Sequence, residues 1–167
     1  WQNILIYSSY ESRYANLKID NTDTQILMHL QNDGRLSNVE LAEQIHLSAS
    51  PCLRRVKQLE SLGVIKGYKA SIERKKVGLS MTVFIEVRLN SHIGEASEAF
   101  EKSVVNLPNV ISVYLVSGYA DYRLEIVSKD LADYEGILKT IQNLPYVKDI
   151  HSNFAIRAIK SDAPLPL

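Results

Sequence analysis

Four histidines and one cysteine are the side chains most able to ligate a metal or attack a substrate, and their placement argues against both. His29, His46, His92 and His151 are scattered, without the close pairs that zinc coordination uses. Cys52 opens a helical stretch, where the helix dipole could lower its pKa, but no histidine lies near it in sequence. Packing is the simpler role. No GxGxxG, phosphate loop or Ser/His/Asp signature occurs. What the chain does carry is a cluster of fixed cations. The stretch Ser48-Ala-Ser-Pro-Cys-Leu-Arg-Arg-Val-Lys-Gln-Leu-Glu-Ser-Leu-Gly63 puts Arg54, Arg55 and Lys57 on a helix whose Leu53, Val56, Leu59 and Leu62 form the stripe expected to be buried. Cations toward a helix N-terminus oppose its dipole. Either an anion meets them there, or they only solvate the surface.

The formal net charge of zero hides a separation. Residues 48–76 hold eight basic side chains against two acidic ones, whereas residues 77–167 hold eight against eleven. Such segregation fits one part that meets a polyanion and another that does not, or a solvated basic face. No apolar run approaches the ~18 residues of a membrane span. Trp1-Gln-Asn-Ile-Leu-Ile-Tyr-Ser-Ser-Tyr10 is short and lacks the basic start of a signal peptide, so residues 1–16 are taken as an N-terminal extension. One cysteine permits no internal disulfide, which suits a reducing, cytoplasmic setting.

The elements that must position the cations follow from the pattern. Asp20-Asn-Thr-Asp23 caps a helix carrying Ile26, Leu27 and Leu30, and Asn32-Asp-Gly-Arg35 stops it, with Gly34 free to turn left-handed. Ser37-Asn-Val-Glu40 fits a capping box for a short second helix. His46-Leu47-Ser48 turns into the basic helix, capped by Ser48 or Ser50, with Pro51 in the first turn and Gly63 at the end. Two helices joined by a tight turn, the second basic, make a helix-turn-helix, and Val64–Ile72 suggests an extended wing. After Gly78 the period changes to two. Strands are expected over 81–89, 110–117, 122–127 and 150–160, and helices over 96–107 and 130–144. The order βαββαβ folds as a four-stranded antiparallel sheet with both helices on one face. The reading is an α+β chain: extension 1–16, winged helix-turn-helix 17–67, linker strand 68–80, ferredoxin-like domain 81–160, tail 161–167.

Asp33-Gly-Arg-Leu-Ser-Asn-Val-Glu-Leu-Ala42, Leu47-Ser48 and Pro51-Cys-Leu-Arg-Arg-Val-Lys-Gln-Leu-Glu-Ser-Leu-Gly-Val-Ile-Lys-Gly-Tyr68 closely resemble the Lrp/AsnC (feast/famine) family of transcription regulators. Leu115-Val-Ser-Gly-Tyr-Ala-Asp-Tyr122 is similar to the effector loop of that family's small-molecule (RAM) domain. The resemblance covers about residues 17–160. It implies a DNA-binding regulator, dimeric through its C-terminal sheets, often closed into octameric rings, with a free amino acid bound between those domains. It also implies that double-stranded DNA is met by Ser48, Ser50, Arg54, Arg55 and Lys57. From residue type alone the serines are as well explained by capping, and Asn38 and Glu40 either touch the DNA backbone or only cap.

For the effector, the resemblance points to Ser117, Gly118, Tyr119, Asp121, Ser152, Asn153 and Phe154, with Asp121 facing an α-ammonium. From spacing alone, Gly118 and Asp121 are ordinary turn residues. Many relatives have an acidic residue where Tyr119 stands, and some have an aromatic one at Asn153. No unpaired cation is evident to hold an acidic side chain, which favours a neutral amino acid such as leucine or methionine, and no other cofactor. The competing reading is an enzyme, since sirohaem decarboxylases are similar to this family in both domains. They need not keep a basic recognition helix, and this chain does. A third reading is an amino-acid sensor that acts on another protein and does not bind DNA.

Overall fold

The computed structural model describes residues 18–91 and 94–167, so the N-terminal extension lies outside the described residues. These residues form two compact units. One runs as far as Ala70 and takes in Asp162–Leu167, and the other is Ser71–Ser161.

The first unit is a three-helix head: α1 (Asn21–Asn32), α2 (Asn38–Gln44) and α3 (Ala49–Ser61). α1 begins with a reciprocal cap, Asp20 accepting the Asp23 amide and Asp23 accepting the Asp20 amide. α2 begins with the Ser37/Glu40 capping box. That box holds the Glu40 carboxyl below its ordinary range, chiefly through the hydrogen bond to Ser37. Ile26, Leu41, Ala42, Cys52 and Leu59 are buried together, with Leu30, Ile45 and Val56 packed against them. The buried stripe of α3 therefore runs Cys52–Val56–Leu59. Leu53 and Leu62, expected inside, are 41% and 47% exposed. An i, i+4, i+7 stripe holds to one side of a 3.6-residue helix, whereas a strict i+3 series drifts around it.

Both C-termini that flank the turn and follow α3 close in the same way. His46 N–H donates to Glu43 and Leu47 N–H to Ala42, while Gly63 N–H donates to Glu60 and Val64 N–H to Leu59. These are paired 5→2 and 6→1 bonds around a left-handed residue, Gly63 at φ 71° and His46 at φ 55°. Gly34 is not left-handed, contrary to expectation. It is small for another reason, because a Cβ there would meet the Tyr68 ring at 3.3 Å. Tyr68 also donates to Glu60 at 3.1 Å. The expected wing strand is absent: residues 66–73 carry neither helix nor strand.

The second unit opens with a 3-10 turn (Arg74–Val77), then β1 (Met81–Leu89), α4 (Gly94–Val104), β2 (Val110–Leu115), β3 (Tyr122–Ser128), α5 (Leu131–Gln142) and β4 (Val147–Phe154). The sheet order is β2-β3-β1-β4, antiparallel throughout. Alternate residues Val83, Ile85, Val87 and Leu89 are buried beneath Phe100, Val104, Tyr134 and Ile141 of the two helices. Phe84, Glu86 and Arg88 face the other way, onto a surface that neither helix covers. The last strand spans 147–154 rather than 150–160, and beyond it the chain passes into the tail.

Candidate nucleic-acid and effector sites

On α3 a line of residues at i, i+4 and i+7, Ser50, Arg54 and Lys57, lies opposite buried Cys52 and Leu59, and all three are exposed. Arg54 and Lys57 enter no ion pair among the described residues, so their cations are free for a polyanion. Ser48 takes the N-cap position without using its side chain for capping, which leaves its hydroxyl exposed at the helix start beside Ser50.

Arg55 departs from the expectation. One position further along, it is rotated about 100° from Arg54 toward the core side. Its Nη1 lies 2.7 Å from Asp20 Oδ2 and 2.8 Å from Asp23 Oδ1. The two carboxylates hold its pKa up, Asp23 foremost, and the Asp23 amide together with Arg55 holds the Asp20 carboxyl down. Arg55 thus fastens the basic helix to the capped start of α1, and its charge is spent within the head. Sequence could not pair it with partners more than thirty residues away. Asn38 does likewise on a smaller scale, its side-chain amide donating to the Ala49 carbonyl at 2.8 Å. Glu40 is a cap. Cys52 is buried, and burial pushes its thiol up rather than down. Arg74, counted among the basic residues, is paired with Glu125 at 2.9 Å in the second unit.

The effector candidates do not converge in one chain. Gly118 sits at φ 121° in the β2–β3 turn, with nothing near a notional Cβ, and Ser117 is exposed beside it. Tyr119, 67% exposed, stands over the helix-free face, where Arg88 lies 4.8 Å from its ring and His151 meets it edge-on at 5.8 Å. Arg88 and His151 are neighbours the sequence did not suggest, because they come from β1 and β4. Asp121 is built into the backbone: it accepts the Leu89 amide at 2.8 Å, and its own amide donates to Val87.

On β4, Ser152, Asn153 and Phe154 alternate. Ser152 accepts a hydrogen bond from the Tyr134 hydroxyl, and Phe154 packs edge-on to the same ring at 5.1 Å, both on the helix side. Asn153 pairs with Phe84 and points the opposite way. Three consecutive strand residues cannot line one face, since successive side chains alternate. Within one chain, therefore, Ser152 and Phe154 lie on the helix side of the sheet and Asn153 on the other. Among the described residues no cluster of His, Cys, Asp or Glu is arranged to hold a metal, and no helix is long and apolar enough to cross a membrane.

Comparison with known proteins agrees with this arrangement. Residues 19–66 match the winged helix-turn-helix DNA-binding family and residues 82–165 the Lrp/AsnC ligand binding domain. The second match extends into the tail, five residues past the limit of the resemblance seen in sequence. The chain is 38% identical over 151 residues to a Bkd operon transcriptional regulator of Pseudomonas aeruginosa, covering 90% of this chain and 99% of that one. It is 38% identical over 143 residues to the leucine-responsive regulatory protein of Escherichia coli K12, covering 85% and 87%. A transcriptional regulator of Neisseria meningitidis, solved with L-methionine, superposes with a TM-score of 0.84 at 39% identity, covering 89% of this chain and 97% of that one. These relatives are regulators of transcription, which favours that reading over the enzyme. With a helix-turn-helix whose basic line faces outward and a four-stranded domain matched by the family's ligand module, the chain belongs to the Lrp/AsnC family of DNA-binding transcription regulators.

Proposed function

We propose that this chain is a cytoplasmic, non-enzymatic regulator that binds operator DNA through Ser48, Ser50, Arg54 and Lys57, and that methionine or leucine adjusts this binding. The carrying observation is the exposed Ser50–Arg54–Lys57 line, opposite the buried Cys52 and Leu59. Cations on a helix set in a major groove neutralise phosphates and release counterions, while the same side chains reach base edges for selectivity. Arg55 serves by orienting that helix.

A neutral amino acid fits the second unit better than an acidic one. Arg88 is already engaged by the Tyr119 ring and by Asp149 at 3.8 Å, and Arg123 by the Phe84 ring. The methionine bound to the Neisseria relative supports the same class. Because the 117–121 turn and the Ser152/Phe154 pair lie on different faces, a complete pocket calls for a second copy. A homodimer, assembling further into a ring such as an octamer, would supply it.

The test uses purified protein and sheared genomic DNA of its own source, with captured fragments sequenced in the presence and absence of excess methionine or leucine. Reproducible enrichment of discrete sites, shifted by one of the two amino acids, is expected. Uniform capture of all fragments would overturn sequence-specific regulation, and a profile unchanged by either amino acid would overturn the effector assignment.

A further inference from the structure

The tail Ser161-Asp-Ala-Pro-Leu-Pro-Leu167 follows the sheet domain in sequence, yet residues 162–167 belong to the compact unit of the head. The chain bends at Asp162, a non-glycine residue at φ 51°, a conformation that Asp tolerates better than most. It then presents Pro164-Leu165-Pro166. Neither proline has an amide hydrogen, so Leu165 carries the one N–H of that tripeptide. Gln31, on α1, meets it from both sides. The Leu165 N–H donates to Gln31 Oε1 at 2.6 Å, and Gln31 Nε2 donates to the Leu165 carbonyl at 3.4 Å. A glutamine amide offers one acceptor and one donor group in a plane, the complement of a peptide group. Proline-flanked segments are stiff and lose little entropy when docked.

The connection has a consequence for signalling. β4 ends at Phe154, and residues 155–161 lead from it to the docked tail. The sheet is thus joined to the head through both ends of its own sequence, at 69–73 and at 155–161. We propose that Pro164-Leu165-Pro166 is a latch, held on α1 by Gln31, that ties the last strand of the effector sheet to the DNA-binding head and carries the effector signal between them. The signalling part rests on the amino-acid reading above, while the latch itself does not.

The full-length chain, Gln31→Ala, Gln31→Glu and Leu165→Pro separate the two. In the first measurement, exchange of the Leu165 amide proton is followed by NMR. It is expected to be about tenfold slower in the parent than in Gln31→Ala, the factor for losing the hydrogen bonds to one side chain. Gln31→Glu, which keeps the acceptor of the shorter bond and loses the donor of the longer one, is expected to fall between. Equal exchange rates in all three overturn the latch. In the second, DNA affinity is measured with and without methionine. Gln31→Ala and Leu165→Pro, which break the bond from opposite ends, should bind DNA within about threefold of the parent and lose most of its methionine response. A full response in both variants overturns the signalling role. If the parent itself ignores methionine, the signalling part fails with the effector reading, and the exchange measurement still decides the latch.

Discussion

The α3 face of the head and the hairpin face of the sheet are built on opposite plans. Ser50, Arg54 and Lys57 come from about two turns of a single helix, and one chain orients that helix through the Arg55–Asp20–Asp23 clamp and the Asn38–Ala49 bond. The effector candidates come from a turn and an edge strand, and one chain distributes them over two sides of a sheet. A helix gathers residues at three- and four-residue spacing on one side, whereas a strand sends neighbours apart. The head should therefore recognise its ligand as a single folded unit, while the sheet, in the dimer proposed above, would take the rest of its site from a partner.

The largest effect is expected where the head is tested directly. Arg54→Ala with Lys57→Ala should weaken DNA binding about a hundredfold or more and lower the dependence of log affinity on log salt by nearly two, at roughly 0.9 per phosphate contact. Methionine binding should be unaffected, and an undiminished salt slope would remove both residues from the interface. Arg55→Ala sharpens the contrast. It should lower the melting temperature of the head and weaken DNA binding several-fold with the salt slope unchanged, because its partners are Asp20 and Asp23 rather than phosphate. A slope reduced by about one would return it to the DNA.

On the sheet, Asp121→Ala should cost about 1–2 kcal/mol of stability by leaving the Leu89 amide without its acceptor, and Asp121→Asn should recover most of that. If calorimetry shows amino-acid binding lost in both variants, the carboxylate charge serves the ligand. Binding retained in the Asn variant would make Asp121 purely structural.

Acid should separate the two units again. Asp20 and Glu40 are both held below their ordinary values of 3.8 and 4.5. Their contribution to the head is complete above about pH 4.5 and is lost as pH falls through the lowered folded values. Chemical denaturation followed between pH 5 and 2.5 should show the head weakening before the sheet's hydrophobic core does. The smallest effect is expected at the turn: His46→Gly removes a left-handed side chain and should stabilise the head by about 1 kcal/mol, read as a higher denaturation midpoint.

Much of this architecture is legible in the sequence because it depends on local rules. The Asp20–Asp23 and Ser37–Glu40 caps, the closing Gly63 and the period-two strands each involve residues within a few positions of one another. The basic helix was visible for the same reason. What was hidden depends on distant pairing: nothing near Arg55 announces Asp20, and nothing near Leu165 announces Gln31. The split of Ser152, Asn153 and Phe154 follows from strand periodicity alone, whereas the family likeness names the three residues without saying which side of the sheet each takes. The missing wing strand has another cause, since extended residues become a strand only when a neighbour pairs with them.

Tyr68 and Arg74 also set a leash. Tyr68 is fastened to Glu60 and lies on Gly34, and Arg74 is fastened to Glu125 and Thr82. Residues 69–73 run between these two anchors, and fully stretched that segment reaches roughly 20 Å. That is shorter than one turn of duplex, about 34 Å. If two copies pair as proposed, their heads should tolerate small changes in the gap between half-sites, but not the insertion of a whole helical repeat.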